Sequence, residues 1–211
     1  MKAVSYKRIL AYLIDIFIVT VISSLLTMFI PVTEEYQKAN DEFQDVMEKF
    51  VNNEIENEDY LLKINDISYV INKESISFSV VSVVITIIYF VVFAYYMNGQ
   101  TVGKKIMKIK IISTDDSKLT MNKLLIRSLI IDSILLNIIS ILTILFMNKS
   151  LYIKTYEISS TIFMWVYAAT FAMILFRKDG RGLHDLLAKT IVVSSEENII
   201  SEASIVNEDV K

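Results

Sequence analysis

The sequence predicts an all-α integral membrane protein with four transmembrane helices, and three observations carry that expectation. The run Ala11–Ile30 holds twenty residues of which only Asp15 is ionisable. At 1.5 Å per helical residue it spans roughly 30 Å, the thickness of a bilayer's hydrocarbon core. Three further apolar runs follow, and the chain as a whole is 54% apolar with a mean hydropathy of +0.48 and one proline. The basic residues fall on alternate sides of those runs, as the positive-inside bias requires.

The first span begins after the short basic segment 1–8 and ends at Pro31. It is too long for a signal-peptide core, and no small-x-small cleavage site follows it. Arg8 stands at its entrance and Asp15 seven residues deeper, on nearly the same stripe. A carboxylate facing lipid costs several kcal/mol, about 3 on insertion scales, so this stripe is expected to face protein or water.

Residues 31–75 form an acidic insertion with twelve acids against four bases, a net −8. Tyr36, Ala39, Phe43, Val46, Met47 and Phe50 recur at helical spacing. Leu61, Leu62, Ile64, Ile67 and Ile71 suggest a second helix. The insertion reads as a solvated extracytoplasmic cap, with a cation-attracting mouth or a docking lobe as the functional alternatives.

The second span is expected over Ile76–Met97 and the third over about Asn122–Met147, with Arg127 near its start and Asp132 inside. A loop 148–157 would precede the fourth span, about Ile158–Phe176. Between spans two and three, IKIIS reads as a short strand with a turn after it. The residues from 195 to 211 make an acidic tail expected to be disordered, which leaves 1–194 as the folded transmembrane domain. Fourteen bases lie on the side of the termini and six on the other. Both termini are therefore expected in the cytoplasm and the insertion outside, with spans one and three parallel.

This topology exposes an internal two-fold parallel repeat. Gly99–Ser113 aligns without gaps to Gly180–Ser194, with three identities, Gly99/Gly180, Lys108/Lys189 and Ser113/Ser194. The Arg-then-Asp helices upstream, Arg8 with Asp15 and Arg127 with Asp132, also correspond. Each half ends in a β-favouring run, Ile109–Ser113 and Thr190–Ser194. A lone strand leaves its backbone groups unpaired, so the two runs are expected to pair as a cytoplasmic ribbon.

Arg8, Asp15, the middle stretch GQTVGKKIMKIKII and the late stretch GRGLHD (180–185) together resemble the RDD family of bacterial inner-membrane proteins, named for one arginine and two aspartates. The resemblance covers about residues 5–194. It implies Arg8 and Asp15 as the first two signature residues and Asp185 as the third, with Asp132 as the rival. It also implies a transport role, including cation/proton antiport for some members.

Read from chemistry alone, Arg8, Asp15, Arg127 and Asp132 are either inter-helix ion pairs that fix packing or a proton- or cation-binding set. At least one Arg–Asp pair is expected to cross from span one to span three. The motif residues Gly99, Gln100, Thr101, Gly103, Lys104, Arg181, His184 and Asp185 fall at the cytoplasmic surface. Gln100–Lys105 has too few glycines for a phosphate loop, and its lysines are expected to meet anionic lipid headgroups. His184 is the single histidine and there is no cysteine. The expectation is therefore no metal, no cofactor, no nucleophile and no enzymatic activity, with His184 capping or packing an interfacial helix. The partners expected are the bilayer and a second copy or another membrane protein, not nucleic acid. Two functions stay open: a small ion-coupled carrier, and a non-transporting scaffold or assembly partner.

Overall fold

The computed structural model describes residues 5–115 and 117–195. The expected disordered tail lies, from residue 196 on, outside the described residues. The chain divides into two compact units. The first takes the described residues of Met1–Ile22, Val84–Ile134 and Phe163–Lys211; the second takes Ser23–Val83 and Leu135–Ile162.

Among the described residues, three helices are long and apolar enough to cross a membrane: Ser5–Thr27, Ile76–Tyr96 and Lys149–Phe176. A fourth crossing exists if Met121–Ile131 and Ile134–Phe146 count as one broken span, since they meet at a 70° bend. The sequence predicts this third span as continuous. The break falls at Asp132 and Ser133, and Ser133 takes a left-handed φ of 58°. Asp and Ser side chains compete with the helical ladder for backbone groups, which makes that pair the weak point of an otherwise aliphatic run. The second span also departs from regularity, with a π-helical turn over Ile88–Phe93.

In the second unit, Glu34–Val51 and Asn57–Glu74 form the two helices of the acidic insertion. Thr33 caps the first by accepting from Tyr36 N at 3.1 Å, and Glu34 and Glu35 favour its positive end. Ala39, Val46 and Ile67 are buried between the two helices, with Phe43, Ile64 and Ile71 packed around them, and Phe50 stacks on Tyr60 at 4.0 Å. Leu61 and Leu62 belong to the expected apolar pattern but point outward, 59% and 63% exposed. The expected loop 148–157 is helical instead. Asn148 caps it by accepting from Leu151 N at 3.0 Å, and the helix that starts at Lys149 buries Tyr152. The aromatic ring supplies a reason to continue the helix that the polar letters around it conceal.

In the first unit, the two aligned segments fold alike. Val102–Ile106 matches the short helix Leu183–Leu187, and Ile109–Ser113 (β1) matches Thr190–Ser194 (β2). Gly99 and Gly180 both take positive φ, 82° and 65°, as do Lys108 and Lys189, at 55° and 52°. β1 and β2 pair, as the sequence implies; the structure adds that they run antiparallel, with Ile111 opposite Val192. These two are equivalent residues of the aligned segments, so a local two-fold axis passes between them. The flanking hydrogen bonds obey the same symmetry: Thr114 N donates to Lys189 O and Ser195 N to Lys108 O, both at 2.9 Å. Ile109, Ile111 and Val192 turn into the core with Ala11, Val91, Ala94 and Leu124.

Candidate functional site

The site grows from the first helix, which offers one anion and one cation on a single stripe. Asp15 is fully buried in the first unit and has four donors. Tyr89 Oη lies at 2.7 Å, Thr101 Oγ1 at 2.5 Å, Gly103 N at 2.7 Å and Lys104 Nζ at 3.4 Å. Three of these donors belong to the first short helix and its cap. Thr101 caps that helix by accepting from Lys104 N, and Asp15 takes up the otherwise unpaired N–H of Gly103. The fit is tight: a Cβ on Gly103 would run into the Ala11 carbonyl and the Asp15 carboxylate. Burial lowers the pKa of Lys104 and Asp15 opposes that shift.

Arg8, two turns earlier, reaches the second short helix. Its Nη2 lies 2.6 Å from Asp185 Oδ2, and its Nη1 donates to the Gly180 carbonyl. Arg127 Nη1 binds Asp185 Oδ1. Gly182 N also donates to Asp185, at 3.2 Å, and Thr190 Oγ1 at 3.4 Å. Burial pushes the Asp185 carboxyl up, but Arg127 and Arg8 outweigh it and hold it well below the usual carboxylate range. His184 is buried, its Nε2 3.4 Å from Asp185 Oδ2, and burial brings its pKa down to about 3, so the ring is neutral.

The two short helices thus carry opposite charge at equivalent positions of the aligned segments, Lys104 and Asp185. Each is met by the complementary charge from a spanning helix: Asp15 for Lys104, Arg8 and Arg127 for Asp185. The expected Arg–Asp pair between spans one and three is therefore replaced. Among the described residues, Arg8 and Arg127 converge on Asp185, and the direct polar link from span one to the broken helix is Tyr12 Oη donating to Ile131 O at 2.8 Å. The remaining predicted residues have local roles. Gln100 Nε2 donates to Ile109 O at 2.9 Å. Gly99 makes the turn before it. Arg181 turns away from the hub, its Nε on Asp179 Oδ2 at 2.9 Å.

Beside this hub lies a cavity of about 420 Å³ in the same unit, faced by Arg8, Lys104, Arg127, Asp132, Thr170 and His184. Asp132 Oδ1, Thr170 Oγ1 and His184 Nδ1 are buried without a hydrogen-bond partner among the described residues. Tyr89, a donor to Asp15, and Thr170, at the cavity, are neighbours that sequence reasoning misses. A tyrosine or threonine in an apolar run is an ordinary helix-packing residue, and only its partner's position reveals more.

The family model described as RDD family matches residues 3–189. The chain belongs to the RDD family. In this RDD protein, Arg8, Asp15 and Asp185 belong to one linked set of contacts. Arg8 and Asp15, on one helix, each hold one of the two equivalent short helices, and Asp185 is the aspartate that Arg8 holds. Asp132 lines the cavity. The match stops one residue before β2, so the ribbon's second strand lies beyond it. Comparison with curated proteins finds no match, and comparison with solved structures finds none.

Proposed function

We propose that this RDD membrane protein is a small ion-coupled carrier in which Asp132 is the exchangeable acid, while Asp15 and Asp185 are fixed anchors. The observation that carries the reading is the contrast between the acids. Asp15 and Asp185 have four and more donors each, but Asp132 keeps an unpartnered oxygen beside a cavity and sits at a break in a spanning helix. Intramembrane acids of that kind are the usual seats of proton and cation exchange, and broken helices mark carrier sites. In a bacterial inner membrane, both termini would be cytoplasmic and the acidic insertion external. So few spans favour a homo-oligomer; of the two lysines expected on anionic headgroups, Lys105 is exposed and can rest there, whereas Lys104 is buried against Asp15. No catalytic step enters this reading.

The test is cation-driven proton flux in proteoliposomes. Asp132→Asn should lose the flux about tenfold or more while keeping its melting temperature, because the anchors are untouched. Wild-type protein that moves no protons under sodium, potassium or organic-ammonium gradients would remove the carrier reading. The scaffold reading, favoured by the saturated pairing of Asp15 and Asp185, would then stand. Orientation is checked separately. Cysteines placed at Asp45 and Ser117 should label from outside and inside respectively, and the reverse pattern would invert the topology.

A further inference from the structure

The cavity in the first unit has a polar end and a long apolar wall. The wall is made by Ile9, Leu13, Phe90, Phe171 and Ile174 among others. A volume of about 420 Å³ admits a small organic molecule and exceeds what a bare ion needs. At the polar end, Arg8 and Arg127 are directed at Asp185, and Lys104 Nζ is shared between Asp15 and Thr101, so each base already faces its own anion. What stays unpartnered is of the other kind. Asp132 Oδ1 is a carboxylate acceptor. His184 is neutral with Nε2 turned to Asp185, which puts the proton on Nε2 and leaves Nδ1 an acceptor. Thr170 Oγ1 can accept as well. His184 and Thr170 also meet at one spot, because both flank Gly182: a Cβ there would come within 3.1 Å of His184 Nδ1 and 2.9 Å of Thr170 Cγ2. Thr170 stands one helical turn from Tyr167, whose hydroxyl lies 2.7 Å from Ser133 Oγ, the neighbour of Asp132.

Buried acceptors without donors are costly, and a ligand that supplies donors relieves that cost. We infer that this cavity binds a primary ammonium ion on a hydrocarbon body, an alkyl- or arylalkylammonium, whose three N–H groups meet Asp132 Oδ1, Thr170 Oγ1 and His184 Nδ1. The ammonium has as many donors as the site has unpartnered acceptors, and one of those acceptors is anionic, which makes its bond the strong one. The aliphatic and aromatic wall covers the hydrocarbon body. This names a substrate class for the carrier reading and rests on its choice of cavity, but it concerns binding and is measured without transport.

The experiment is equilibrium binding to the full chain in nanodiscs, with empty nanodiscs as the blank and ionic strength held constant. The probes are hexylammonium chloride, sodium hexanoate, hexanol and sodium chloride. Hexylammonium should bind saturably. Asp132→Asn should weaken it about tenfold or more, and Thr170→Val, which keeps shape and removes one acceptor, by about three- to fivefold. Thr170→Val decides the question if Asp132→Asn does not fold. Equal binding of hexanoate would mean that the bases recognise the ligand, and would overturn the inference. Equal binding of hexanol would reduce the site to an apolar hole, and displacement of the amine by sodium at matched concentration would make it a bare-cation site; either result also overturns it. Saturable binding with no flux would retire the carrier reading and leave this site standing.

Discussion

Replacing Gly103 with alanine is expected to destabilise the protein by about 3 kcal/mol or more, read as a large drop in melting temperature in detergent. The added Cβ has no room, because it meets the backbone carbonyl of Ala11 and the Asp15 carboxylate, both on the first spanning helix. Overpacking of this kind costs ~1–3 kcal/mol when side chains can yield, and here backbone would have to move. The displacement would also lengthen the Gly103 N–H bond to Asp15, worth ~1.5–3 kcal/mol as a bond to a charged group. Gly182→Ala is the matched control on the second short helix. The atoms nearest its Cβ are side-chain atoms, of His184 and Thr170, that border the cavity and can shift into it. The expected cost is about 1 kcal/mol. Equal melting of the two variants would show that the first spanning helix is not seated on the Gly103 helix as closely as described.

Much of this arrangement is legible in the letters, and the part that is not has a common cause. The spans, the insertion's helices and the pairing of β1 with β2 follow from local pattern: hydrophobic period, charge bias and a fifteen-residue alignment. The strand pairing is legible because a two-fold relation leaves each lone strand one natural partner. The partners of the charges are not. Depth along a helix suggests that Arg8, Asp15, Arg127 and Asp132 pair among themselves, since all four lie on spanning helices. Depth ignores the short helices, which bring Lys104 and Asp185 into the same layer from outside the spans. The break at Asp132 is hidden for a similar reason. In a run as aliphatic as Leu124–Phe146, one Asp-Ser pair barely changes any propensity sum. The helix Lys149–Phe176 looks shorter in the sequence because its first turns carry lysines and a glutamate, while the burial of Tyr152 that stabilises them depends on tertiary neighbours.

The charge layer gives the second large effect. Asp185→Asn should cost about 3–5 kcal/mol, the usual consequence of stranding a buried partner, because it leaves two guanidinium groups without their anion. An asparagine cannot be turned to suit the site. On one side its amide nitrogen would face Thr190, whose hydroxyl can turn to accept, but also Arg127, which cannot; on the other it would face Arg8, Gly182 N and His184 Nε2, all donors. Arginine cannot escape by losing a proton. Asp15→Asn should cost less, about 1–2 kcal/mol. Its remaining oxygen can keep Tyr89 and Gly103 N, and its amide can face Thr101, whose hydroxyl can turn to accept, and Lys104. Burial already lowers the pKa of Lys104, so that lysine can shed its proton once the carboxylate is gone. The double variant Asp185→Asn/Arg127→Met removes one of the stranded charges and should recover part of the loss, whereas Asp185→Asn/Lys104→Met should recover none. Melting curves of the five proteins, wild type included, distinguish these outcomes. An Asp185→Asn variant as stable as wild type, or one less damaging than Asp15→Asn, would mean that Arg8 and Arg127 are not held by Asp185.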